Sequence, residues 1–500
     1  MFKKFGAIIT TVLARQWFFY VVLGFFVFQA LWFVFSAQYP MAFDEEFHFG
    51  IAQIYTQHWL PHIAEHPEGA NVFGAVARDV SFFFHYLMSF PLRFVELFTA
   101  SEAVQVIVLR TLNVGMFALS LVLFRKVLLR AGTSPALTHT AMAIFVLIPI
   151  VPQLAAHINY DNLLMVLLAW AILAVMNLTE SFKARRVDVQ ALILLVILSA
   201  FMVITKYAAL PLVLAMVLFA AAMGLWKFRG HFKKLWPALA SGYRKINTLA
   251  KVALLVALVA GLGMFAERYG GNMVMYQEPI AACDSVLTVE QCREYGPWGR
   301  NYNYRQNANP DFQASPVTYM GEWLSGMHHR LFFAINGVHD RYTNYLQLPV
   351  PSKTAVVIAV AGGVATLIWF RETFRRRPYF TLFLLLIVVY VGILWYRLYS
   401  GYSITGVAAA VNGRYLLPIL LPMAAIMGTA LAIGLRKLRL ASLKPYLATA
   451  AIVLFLHGGG VFTFILRSDE AWYWDNRAVH EVNNTARSLL SPVTIEGRKW

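Results

Sequence analysis

Three carboxylates in a row, Asp44-Glu45-Glu46, stand a few residues beyond an apolar run from Ala14 to Ser36 that is long enough to cross ~30 Å of hydrocarbon. Acids held against a membrane face suit a general base or the ligands of a cation. Asp44 is the strongest candidate base, with Glu45 beside it and Glu46 suited to a solvated surface. A further carboxylate, Asp161, opens a later apolar run in His157-Ile-Asn-Tyr-Asp161-Asn162. Three cations, Lys206, Arg397 and Arg414, recur at the ends of other runs and suit an anionic ligand at headgroup depth, a polyprenyl phosphate being the natural one. Arg414 is the strongest, because its guanidinium can fork onto phosphate oxygens and Asn412-Gly413 lets the backbone come close. Tyr207 and Tyr415 adjoin two of these cations.

Each residue also has a plainer reading. Acids cap helix N-termini, and single lysines or arginines snorkel. The set is harder to dismiss, since a pure phosphate binder has no reason to gather acids beside its cations. His48, four residues after Asp44, shares its face if the chain is helical from Phe43 onward, and would orient the carboxylate or co-ligate a metal. Asp44, Glu45 and Asp161 could together hold a divalent cation, although nothing in the sequence requires one. His58, His62, Glu65 and His66 are a weaker zinc candidate, because Pro61 and Pro67 interrupt the helix that would align them. His328-His329 and His339-Asp340 are open to acceptor contact or to plain helix surface. Trp298 and Trp323 suit either sugar stacking or interfacial anchoring.

Membrane helices must position these residues. Of 500 residues 59% are hydrophobic and only 13% charged, with mean hydropathy +0.60, a composition foreign to soluble domains. Apolar runs recur near 103–124, 137–156, 163–178, 189–205, 208–225, 252–266, 354–370, 379–395, 415–435 and 446–466. They predict an all-α polytopic protein of about eleven spans, a single membrane domain over 1–500. With the N-terminus inside, every basic cluster falls on the cytoplasmic face, including Arg125/Lys126/Arg130, Lys183/Arg185/Arg186, Arg371/Arg375/Arg376/Arg377 and Arg436/Lys437/Arg439. The formal +17 charge is thereby explained by topology and anionic membrane lipids, with no nucleic-acid partner. The C-terminus falls outside, together with a first loop over 37–102 and a long loop over 268–352 before the eighth span. In the first loop, Glu46 to Trp59 and Val80 to Phe98 read as amphipathic surface helices, the second broken at Pro91. In the long loop the only cysteines, Cys283 and Cys292, are spaced for a small disulfide-closed loop in an oxidising exterior.

The segments Phe43-Asp44-Glu45-Glu46-Phe47-His48, Asn159-Tyr160-Asp161, Thr205-Lys206-Tyr207 and Asn412-Gly413-Arg414-Tyr415-Leu416-Leu417-Pro418 together resemble motifs of integral-membrane glycosyltransferases of the GT-C fold. The nearest are the bacterial group related to protein O-mannosyltransferases and aminoarabinose transferases, and related uncharacterised bacterial membrane proteins. The resemblance spans 40–420; Phe43 and the extra Glu46 depart from the usual surroundings of the family's Asp-Glu pair. It implies transfer of one sugar, with inversion, from a polyprenyl-phosphate donor to an envelope glycan, lipid or protein acceptor outside a bacterial cytoplasmic membrane. Asp44 would be the base, Asp161 would position the acceptor, help Asp44 or join Asp44 and Glu45 around a divalent ion, and Lys206 and Arg414, with Arg397, would meet the phosphate. A transporter or flippase of a lipid-linked saccharide is the alternative, although such proteins more often bury charge at mid-bilayer within repeated halves.

Overall fold

A computed structural model describes residues 2–41, 44–332, 349–468 and 470–492, so Phe43 and the His339-Asp340 pair lie outside the described residues. Among the described residues the chain is helical without β-strands; one isolated bridge joins Ala37 to Tyr473. Nine helices there are long and apolar enough to cross a membrane: Gln16–Ser36, Glu102–Arg130, Tyr160–Lys183, Tyr207–Phe228, Thr248–Tyr276, Val350–Ile368, Pro378–Thr405, Gly413–Lys437 and Ala441–Arg467. Two of the expected runs form shorter helices. Val189–Thr205 has 17 residues. The 137–156 run is divided into Pro135–Val146 and Ile150–Ala155, because Pro149 lacks the N–H that would continue the ladder and its ring crowds the preceding turn.

Breaking a helix at membrane depth releases backbone groups that must find partners. Leu147 O accepts from Gly460 N at 2.7 Å, within a second break at Gly458-Gly459-Gly460 of the Ala441–Arg467 helix. Gln29, fully buried in the first span, stitches the two breaks: its Nε2 donates to Val146 O at 3.2 Å and its Oε1 accepts from Val461 N at 3.1 Å.

Tyr160–Lys183 is the central helix, with 83% of its span buried. It is apolar all round, as a helix surrounded by others must be. It packs against Val189–Thr205, Glu102–Arg130 and the Leu210–Phe228 helix, which in turn meets Pro378–Thr405 and through it Leu417–Lys437. Thr248–Tyr276 is the opposite case: only 6% of its span is buried, and its main neighbour is Val189–Thr205.

The first loop contributes two helices that pack on each other, Glu45–Thr56 and Phe83–Glu96. Contrary to the expected break, Phe83–Glu96 runs through Pro91, and the Ser89 hydroxyl donates to Tyr86 O at 2.7 Å beside the missing bond. Arg93 from this helix caps the other, donating to Tyr55 O at 2.6 Å and Thr56 O at 2.8 Å. In the long loop Cys283 and Cys292 form a disulfide.

Candidate functional site

Two helix starts use one device. Asn159, extended before Tyr160–Lys183, accepts the Asp161 N–H on its side chain at 2.9 Å. Asn412, extended before Gly413–Leu416, accepts the Arg414 N–H at 3.1 Å. In each, an asparagine cap satisfies an orphan donor and fixes the residue two positions on. Gly413 is required by a close approach, since a Cβ there would run into Met327 O and Leu331 of the Pro316–Phe332 helix. Lys206 occupies the extended joint between Val189–Thr205 and the turn that begins the next helix.

These elements bring the acids and cations into one cluster. Arg414 Nη2 donates to Asp44 Oδ2 at 2.8 Å, and Lys206 Nζ donates to Asp161 Oδ1 at 2.5 Å. The Lys206 ammonium also lies 4.5 Å from the ring centre of Tyr160 and 5.1 Å from that of Tyr415, while the Arg414 guanidinium is 5.5 Å from the same Tyr415 ring. At the rim, Arg397 remains exposed with its guanidinium 4.6 Å over Tyr207. Asp161 Oδ2 is buried and accepts no hydrogen bond. The Asp44 side chain, by contrast, is 48% exposed and takes the left-handed backbone conformation, φ 69°, at the entry to its helix.

The ends that meet here belong to Gln16–Ser36, Tyr160–Lys183, Tyr207–Phe228, Pro378–Thr405 and Gly413–Lys437. Basic clusters gather at the opposite ends, where Arg130 pairs with Glu180 at 2.6 Å and Lys437 with Glu372 at 3.6 Å.

Two expected members have other partners. Glu45 is fully buried, and Arg110 holds it with two bonds, Nε to Oε1 at 2.8 Å and Nη2 to Oε2 at 2.7 Å; the Met41 and Ile158 amides donate to the same carboxylate. Burial alone would push this carboxyl up, but Arg110, His157 and the hydrogen bonds outweigh it, and the net displacement is downward. Glu45 thus anchors the loop with its oxygens engaged, because the adjacent span supplies an arginine at its level. His48 lies on the buried face of its helix, edge-on to the Tyr160 ring at 4.5 Å. Its Nδ1 is 2.8 Å from Nε2 of His85. Burial drives both rings below the ordinary histidine value, His85 to about 3 and His48 well down with the added repulsion of His85 and His157. Asp44, Glu45 and Asp161 therefore each face a different cation, and among the described residues no group of three or more metal-ligating side chains is gathered. His62 bonds Glu267 at 2.8 Å and His66 bonds Asn71 at 3.2 Å, so these two histidines of the zinc candidate take separate partners. His328 bonds Ser352 at 2.7 Å, Trp298 stacks on Tyr302, and Trp323 is buried in a small core with Tyr319 and Tyr402.

Three neighbours carried no role in the sequence. Tyr160, inside a motif already singled out, supplies an aromatic wall to Lys206. Tyr295 stacks on Phe47 at 5.5 Å, and its hydroxyl is held protonated by burial and by the charges of Asp79 and Asp44. Asp79 accepts from Ser81 N at 2.9 Å, and burial raises its carboxyl. Only topology brings these loop residues to the cluster. An apolar groove of about 730 Å³ runs between the helices from Leu178 and Phe182 at the basic end to Val203 and Leu210, which flank the joint carrying Lys206 in the chain. No family model, curated protein or solved structure matches the chain.

Proposed function

We propose that the chain is a GT-C-type glycosyltransferase that moves a single sugar from a polyprenyl-phosphate donor to an envelope glycan, lipid or protein acceptor. In this reading it crosses a bacterial cytoplasmic membrane about eleven times, the two shorter helices included, with the site and the C-terminus outside. The observation that carries the reading is the shared cluster of Asp44, Asp161, Lys206 and Arg414 at one end of the helix bundle. An exposed carboxylate beside two nearly buried cations supplies both halves of a displacement at an anomeric carbon. The acceptor oxygen forms its bond to that carbon while Asp44 takes the hydroxyl proton. The carbon–oxygen bond to the phosphate breaks, and polyprenyl phosphate leaves with the electron pair, its charge met by Arg414 and Lys206. Attack opposite the leaving group inverts the centre. Asp161 fixes the Lys206 ammonium, and the adjoining groove has the apolar lining that a prenyl tail needs.

The test incubates purified protein with several polyprenyl-phosphate sugars and a hydroxyl acceptor. Asp44→Asn is expected to lower turnover by roughly 10²–10⁴-fold while retaining donor, as loss of a general base does. Arg414→Ala is expected to lose donor binding as well. Equal turnover in parent and both variants refutes the mechanism; donor binding and translocation without sugar transfer in the parent would favour a flippase.

A further inference from the structure

Three carboxylate–cation pairs surround this end of the bundle, and they differ in access to water. Glu45 and Arg110 are both 0% exposed, and Asp161 and Lys206 are 8% and 6% exposed, whereas Asp44 is 48% exposed against 6% for Arg414. Opening either of the first two pairs strands a buried charge. Opening the third returns its carboxylate to water and leaves only the nearly buried Arg414 charge, which an incoming anion can meet. The partners also differ in how firmly they are held. Arg414 is fixed at its root by Asn412 and by the glycine packed beneath Met327, while the Asp44 side chain makes no helix-capping bond. Arg414 is therefore the stationary half and Asp44 the releasable one.

We infer that the Asp44–Arg414 pair is a latch opened by phosphate, so that arrival of the donor headgroup on Arg414 displaces Asp44 Oδ2 and frees it to accept the proton of the incoming hydroxyl. This rests on the donor reading above, because it requires the anion to be a phosphate and the base to be Asp44. A phosphate offers Arg414 more acceptor oxygens and more negative charge than the carboxylate bond it replaces. In the empty site the base is masked by the group that later holds the leaving group. The acceptor is thus not deprotonated before a donor is seated.

The latch makes a prediction that an ordinary catalytic base does not. Removing the internal competitor should tighten phosphate binding: in nanodiscs, Asp44→Asn and Asp44→Ala should bind a sugar-free polyprenyl monophosphate on the order of tenfold more tightly than the parent, with polyprenol affinity unchanged. Inorganic phosphate is titrated in parallel. A gain for both phosphates means that the latch reads the phosphate itself, and a gain for the lipid alone means that it also needs membrane anchoring. Equal or weaker lipid-phosphate binding in both variants overturns the proposal, as does an equal gain for polyprenol. Lost turnover with unchanged affinity removes the latch and keeps the base, whereas retained turnover with raised affinity keeps the latch and removes the base. Because Asp44 is half-exposed, both variants should keep the parent's thermal midpoint within a few degrees; if one does not, the other carries the comparison.

Discussion

Asp44 and Glu45 are neighbours of one chemical type, yet one faces water at the cluster and the other is enclosed by Arg110. Sequence alone ranks them by proximity to the membrane, which is nearly the same for both; the distinguishing fact is an arginine 65 residues away. Truncating one partner of such a buried pair leaves the other charge unmet, so Arg110→Met should cost about 3–5 kcal/mol, seen as a large fall in thermal midpoint. Adding Glu45→Leu to it should restore much of the loss, whereas additive losses would deny that the two form a unit. His48 and His85 are a second residue-scale case. Well above pH 6.5 the rings are neutral whether the chain is folded or not. Between pH 6.5 and about 3 the unfolded chain takes up a proton that native His85 refuses, so stability falls as pH falls, by up to about 1.4 kcal/mol per pH unit. His85→Gln should flatten the thermal midpoint between pH 6.5 and 5; an unchanged slope would place the titration elsewhere. The cations were legible because lysine and arginine at the wrong end of a span need a reason. The partner of each was not, since pairing is decided by which helix ends meet.

Helices were the most legible elements, because long apolar runs admit few other structures, and among the described residues nine are long enough to span. What composition hid was interruption. Pro91 leaves its surface helix intact, where the flanking backbone can adjust and Ser89 assists, while Pro149 divides its helix and has Gln29 and the glycine break to receive what it releases. Gln29→Leu should strand Val146 O and Val461 N in an apolar interior, at about 1–3 kcal/mol for each unmet group, and detergent melting would register it. Gly413→Ala tests the other close approach. A methyl group there would push the Arg414 turn off Met327, so donor affinity should fall even though no polar group is removed.

For the molecule as a whole, charge polarity was readable from the chain before any contact was known: basic clusters at one end, the candidate site at the other. A reporter enzyme active only outside the cytoplasm, fused after residue 492, should be active, while one fused after Arg186 should be silent. The reverse pattern would invert the orientation of the site. Less readable was how the two termini of the fold meet. Trp474 N donates to Ser36 O, Gln38 N donates to Trp472 O, and the Trp474 ring lies 5.3 Å from the Arg110 guanidinium that grips Glu45. Trp474 Nε1 reaches Val34 O, 440 residues earlier in the chain. During synthesis, then, the segment leading into Asp44 is made long before the segment that buttresses it. A chain cut before Trp472 would keep every charged group of the cluster yet lack the strap that seats the loop ahead of Asp44.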